Sequence, residues 1–181
     1  IHVASALSSM HGAARVAAKA FNGTVTVVDS GQLTMGLGFQ VLAAAQEAAK
    51  SLLTTNLQSV MEAIDSVQRR IKVIAMLDTM EQLRRSGRVS WIQAGLGAIL
   101  QVKLFVELKE GSVLRLGEAR TRKKALLRLA EMLKNIGPLE QLSILHANAL
   151  EDAQALAEQF PLPGSALPTV RNVTTVIGTH V

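Results

Sequence analysis

The chain has 181 residues, 49% apolar, 18% charged and 3% aromatic, a composition that buries a real core and is not that of a disordered chain. It has no cysteine, which removes disulfides, thiolate nucleophiles and Cys-ligated metals. The formal charge of +5 admits an anionic partner, but one Trp, four Phe and no Tyr leave few rings on which single-stranded nucleic acid could stack.

Residues 1–5 read as the tail of a strand entering a loop, so the chain is expected to begin inside a longer protein. Residues 8–20 carry small residues at helical spacing behind a Ser-rich start, and residues 24–28 are a β-branched run before Asp29-Ser30-Gly31. The spacing predicts helices over 35–50 and 56–71 and a compact buried strand over 71–76. A short helix over 80–85 should end at Gly87 with a left-handed residue. Residues 89–100 follow, with the small-residue run Ala94-Gly95-Leu96-Gly97-Ala98, a surface that another backbone or an acyl chain can approach closely. Residues 102–108 and 112–116 alternate around Lys109-Glu110-Gly111, a hairpin signal. An amphipathic helix over 121–135 runs to Gly137-Pro138, then come a strand over 142–145, a helix over 150–159, a Pro-rich loop and a last strand over 169–177.

This alternation predicts an α/β fold of two layered domains. The first, residues 1–77, would hold a parallel sheet incomplete here; the second, residues 78–181, a mixed or antiparallel sheet with helices, incomplete at its end. No apolar run reaches the roughly 18 residues of a membrane helix, so no membrane span is expected, and a soluble, cytoplasmic protein is.

Ser8, Ser9, His11 and Gly12 stand where a strand-end loop meets a helix. Hydroxyls beside first-turn N–H groups make an anion site; an ordinary serine cap with an exposed histidine explains the same residues. A serine nucleophile with a His11, His146 or His180 base is a third reading, but it lacks the Gly-x-Ser-x-Gly elbow and an evident orienting acid. Scattered His residues and helix-surface carboxylates show no metal-ligand spacing, and no phosphate loop or dinucleotide fingerprint is present. The basic runs at 84–88 and 120–124 fit solvated helix faces. Arg88, after a helix-ending Gly, and Arg120, just before a helix, sit where propensity alone does not ask for Arg.

Several segments, in order, resemble the DegV family of bacterial fatty-acid-binding proteins: Ser8-Ser9-Met10-His11-Gly12; Val27-Val28-Asp29-Ser30 with Met35-Gly36-Leu37-Gly38; and Leu77-Asp78-Thr79-Met80-Glu81-Gln82-Leu83-Arg84-Arg85-Ser86-Gly87-Arg88-Val89. Next come Gly117-Glu118-Ala119-Arg120-Thr121-Arg122-Lys123-Lys124-Ala125, then His146-Ala147 with Glu151-Asp152-Ala153, and finally Ile177-Gly178-Thr179-His180. His11, Ala13 and Ala14 depart from the family's Ser, Thr and Tyr. Members usually extend further at both ends.

The resemblance implies a non-catalytic protein holding a long-chain fatty acid in a tunnel, with the carboxylate at the domain junction. The acid would be presented to a separate ATP-binding fatty acid kinase subunit that phosphorylates it, a step that leads to phospholipid synthesis. On this reading Ser8, Ser9, His11, Gly12 and His180 hold the carboxylate. Met35, Gly36, Leu37, Phe39, Ile92, Gly95, Leu96 and Ile99 line the acyl chain, and Arg88 and Arg120 dock the kinase. No cofactor or metal is expected besides the bound lipid. A serine hydrolase acting on acyl esters and a basic nucleic-acid-binding regulatory module are the competing readings.

Overall fold

The computed structural model describes residues 1–50, 56–89 and 102–179. The chain is α/β and divides into two units, Ile1–Ala75 with Glu107–Leu114, and Met76–Val106 with Arg115–Val181.

In the first unit, α1 (Met10–Ala18) tightens into a 3-10 turn, Lys19–Phe21, which left-handed Asn22 (φ 46°) ends. Helix α2 (Thr34–Ala48) packs on α3 (Leu57–Arg70). A reciprocal cap starts α3: Asn56 Oδ1 accepts the Ser59 N–H at 2.9 Å and Ser59 Oγ accepts the Asn56 N–H at 3.2 Å, satisfying two donors that a helix start leaves unpaired. Ile64 is buried on its inner face.

Strands β1 (Val73–Leu77), β2 (Lys103–Lys109) and β3 (Ser112–Ala119) form an antiparallel sheet in the order β1-β2-β3. The β2–β3 turn has positive φ at both central residues, Glu110 (50°) and Gly111 (76°), the conformation whose twist matches the flanking strands.

The second unit adds α4 (Glu81–Ser86), ended by Gly87 at φ 69°, and α5 (Arg122–Ile136), capped by the Thr121 hydroxyl, which accepts the Lys124 N–H at 3.3 Å. Strand β4 (Ser143–His146), α6 (Leu150–Ala157) and β5 (Thr169–Asn172) follow, and α7 (Thr175–Gly178) closes the described chain. Strands β4 and β5 pair in parallel, Ser143 opposite Thr169 through His146 opposite Asn172, with α6 in the crossover that parallel pairing demands. Ala130, Ala153 and Ala157 permit close helix packing around Ile144 and Leu156, and Leu129, Leu133, Phe160 and Val170 cover that core.

Two expected strands differ. Residues 24–28 form no strand; among the described residues the one bridge there pairs His2 with Asp29 in parallel. β-branched residues favour extended backbone, but a strand also needs a partner row of N–H and C=O groups, and among the described residues only His2 pairs there, with Val28 and Ser30. The last strand stops at Asn172, not Ile177. Strand β4 ends at His146, whose carbonyl accepts the Val173 N–H at 2.8 Å. Beyond that the ladder has no partner, and residues 175–178 satisfy their backbone by coiling.

Candidate functional site

The loop before α1 is built around a buried alanine. Ala4 donates its N–H to the Gln32 carbonyl at 2.8 Å, and its own carbonyl accepts from Leu7 at 2.9 Å and Ser8 at 3.1 Å. That double acceptance turns the chain so that Ser8 and Ser9 stand at the N-terminus of α1. The Ser8 hydroxyl accepts the Met10 N–H at 3.3 Å. Ser9, the exposed cap residue, uses its carbonyl on Ala13 at 2.9 Å and leaves its hydroxyl uncommitted to the helix. His11 and Gly12 occupy the first turn, where N–H groups lack i−4 partners within the helix.

Asp29 ties this loop from below. Both its oxygens lie 3.2 Å from the Ser5 N–H, and Oδ1 also accepts the Gly31 N–H at 2.9 Å. Burial pushes its pKa up, but hydrogen bonds from Ser5 and Gly31 and the charge of His11 outweigh it, so the carboxyl sits below its usual range.

Beside Asp29, Ser30, Gln32 and Gln40 are buried polar residues. The Ser30 hydroxyl donates to the Gln32 carbonyl and accepts the Gln32 N–H, both at 3.1 Å. The Ser30 carbonyl accepts from Gln40 Nε2 at 3.0 Å and Gln68 Nε2 at 3.2 Å. Gln32 Nε2 reaches the Leu108 carbonyl at 3.3 Å. Sequence reading missed the buried Gln32 and Gln40: an amide reads as a surface position until its partners are known.

On α2, Met35, Leu37 and Phe39 are half-buried and Gly36 is buried. A Cβ on Gly36 would lie 2.7 Å from Val73 Cγ2 and 2.9 Å from Gln32 Oε1, so glycine is required there for close approach. Ile92, Gly95, Leu96, Ile99 and His180 lie outside the described residues.

In the second unit, Arg88 is exposed and donates from Nη1 to the Ser86 carbonyl at 2.9 Å. Arg120 is exposed and has no ionic partner among the described residues. Arg122, two positions on and not singled out by the sequence, is the organising cation. It pairs with Asp152 and Asp78, and Asp78 also takes Lys103 Nζ at 3.1 Å. An open cleft of about 590 Å³ beside α6 and β5 is bordered by Leu150, Leu167, Glu158 and Arg171; it is a surface groove and lacks the enclosure an acyl chain needs.

Among the described residues no serine hydroxyl is hydrogen-bonded to a histidine, and no three His, Asp or Glu side chains group as metal ligands. His146 Nδ1 accepts the Ala149 N–H at 3.3 Å, a local strand-end bond.

The DegV family model matches residues 1–181. The chain belongs to the DegV family. A DegV domain-containing protein of Streptomyces coelicolor is 35% identical over 187 residues, covering 99% of this chain, and one of Listeria innocua is 31% identical over 182 residues. The chain spans 64% of the length of both relatives. Among solved structures, a fatty-acid-binding DegV protein from Thermus thermophilus is 28% identical with TM-score 0.84, covering 99% of this chain and 65% of its own. DegV from Bacillus subtilis, described as a fatty acid binding protein, is 26% identical with TM-score 0.82 and the same coverage. Among the described residues no helix of this DegV chain is long and apolar enough to cross a membrane.

Proposed function

We propose that this DegV chain binds a long-chain fatty acid and presents its carboxylate to an ATP-binding kinase subunit in the cytoplasm, without a catalytic centre of its own. The observation that carries the binding half is the likeness, over 99% of this chain, to the T. thermophilus fatty-acid-binding protein. The loop at residues 8–12 supports it, since it gathers two hydroxyls, an imidazole and first-turn N–H donors at one helix start. Ser8, Ser9, His11 and Gly12 take the carboxylate, with His180 assigned on family resemblance. Met35, Leu37 and Phe39 offer half-buried apolar surface on α2 for the chain, with Gly36 behind them and Ile92, Gly95, Leu96 and Ile99 assigned on the same resemblance. Burying about 14 methylenes at about 0.8 kcal/mol each contributes on the order of 11 kcal/mol before ordering costs. An unpaired buried carboxylate would cancel much of that, which is why several donors must converge on the head group.

Native mass spectrometry of the purified protein, with lipid extraction, tests the reading. A co-purifying fatty acid of one stoichiometric equivalent is expected. Replacing Ser8 and Ser9 by Ala should weaken hexadecanoate binding by about 1 to 3 kcal/mol for each donor lost to the charge. Absence of lipid together with hydrolysis of an acyl ester would instead establish the serine hydrolase.

A further inference from the structure

We propose that Asp29 is the positioning residue of the head-group loop: by accepting the Ser5 and Gly31 N–H groups it fixes the turn that delivers Ser8, Ser9 and His11 to the start of α1. The inference deepens the fatty-acid reading and rests on it.

Asp29 and Ser5 are 24 positions apart, and the carboxylate is what joins them. One backbone step before Ser5, Ala4 is bound to Gln32 at 2.8 Å; three and four steps after Ala4, Leu7 and Ser8 bind back to its carbonyl. The turn is therefore held at its entry by Gln32, at its shoulder by Asp29 and across its span by Ala4. Of these three holds only the second is a side chain, so a substitution at Asp29 removes it while leaving residues 4–12 unchanged. The Oδ1 bond to Gly31 at 2.9 Å fixes the carboxylate in return. Gly31 is itself anchored, its carbonyl accepting the Gly111 N–H at 2.8 Å, and Ser30 between them is fully buried. Asp29 thus transmits the rigidity of a buried polar knot to an exposed loop.

A carboxylate close to an anion site would ordinarily repel the ligand. Here its charge is taken up by the Ser5 and Gly31 backbone N–H groups, and the charge of His11 also favours it. Asparagine keeps one accepting oxygen, enough for the Gly31 turn that Asp and Asn both make, but it turns an NH₂ toward the second position. Alanine keeps neither.

The test compares the unaltered protein, Asp29→Asn and Asp29→Ala by amide hydrogen exchange and by hexadecanoate affinity. In Asp29→Ala the Ser5, Ser8 and Met10 amides should exchange faster while those of Gln40 and Ile64 keep their protection, and affinity should fall at least about tenfold, as loss of charge-assisted hydrogen bonds implies. Asp29→Asn should keep Gly31 protected, free Ser5 in part and fall between the two in affinity. Equal affinity in all three overturns the proposal, and so does loss of protection throughout α2 and α3, which would make Asp29 a general core residue. Uptake that Asp29→Ala leaves intact overturns this inference alone. No uptake by the unaltered protein overturns the fatty-acid reading with it.

Discussion

Arg122 grips one oxygen of Asp152 with two of its nitrogens, Nε at 2.7 Å and Nη2 at 2.5 Å, and gives its third, Nη1, to Asp78 at 2.8 Å. One guanidinium thereby fastens the first turn of α5 to the first turn of α6 and to the loop that enters α4. Such a planar fork cannot be replaced by a point charge.

Arg122→Lys and Arg122→Ala should therefore both destabilise the second unit. Arg122 is 39% exposed, so solvent screening limits the loss to about 1 kcal/mol. Urea denaturation monitored on second-unit signals measures it. Full retention of stability in Arg122→Lys would show that charge alone suffices.

Gly36 supplies a second prediction. Gly36→Ala places a methyl 2.7 Å from Val73 Cγ2, an overpacking that costs about 1 to 3 kcal/mol. Adding Val73→Ala removes the clashing carbon, so the double variant should be less destabilised than the two single losses combined. A double-mutant cycle in urea reads this coupling, and simple additivity would contradict the contact.

Glu81 accepts hydrogen bonds from both Arg84 and Arg85, which hold its carboxyl down at about 2, against an ordinary 4.5. A depressed carboxylate favours the folded state above its unfolded pKa, and that contribution disappears as pH falls from about 4.5 through about 2. Because Glu81 is solvated the effect belongs in a titration curve: its carboxyl resonance should titrate near the lower value. In Arg84→Ala/Arg85→Ala the midpoint should return toward the ordinary one. Coincident curves would remove the two arginines as its cause.

We propose, on the family resemblance, that Arg88 and Arg120 dock the kinase subunit. Arg88→Glu and Arg120→Glu should retain bound lipid but lose acyl-phosphate formation with the kinase subunit, since like charges facing each other at an interface cost several kcal/mol. Lipid content and turnover are to be measured separately. Lipid loss would move that Arg to the head group, and unchanged turnover would return it to a solvated face.

Local chemistry was what the sequence expressed best. Gly87 as a helix stop and Lys109-Glu110-Gly111 as a hairpin turn are decided by a few adjacent residues, and both form as read. Residues 24–28 and 173–177 were misjudged because strand formation depends on a partner elsewhere in the chain, which propensity does not contain. The placement of Ser8 and Ser9 at a helix start was readable because it depends on neighbouring residues alone. The roles of Gln40 and Arg122 were not, since a buried amide and a surface amide have the same letter, and Arg122 matters only through Asp78 and Asp152, which lie 44 and 30 positions away.

The β2–β3 turn has a consequence for synthesis. Gly111 donates to the Gly31 carbonyl and the Leu108 carbonyl accepts from Gln32, so the polar knot beside the loop that precedes α1 is closed by residues that emerge long after α1, α2 and α3. At about 5–20 residues per second, a ribosome that has just completed α3 needs roughly 2 to 8 seconds more to deliver that turn. During that interval the Gln32 amide and the Gly31 carbonyl have only water to bond. The nascent first unit is then a helical pair with an unfinished floor, and slowing translation between residues 75 and 111 should lengthen the time in which it is open to proteases and chaperones.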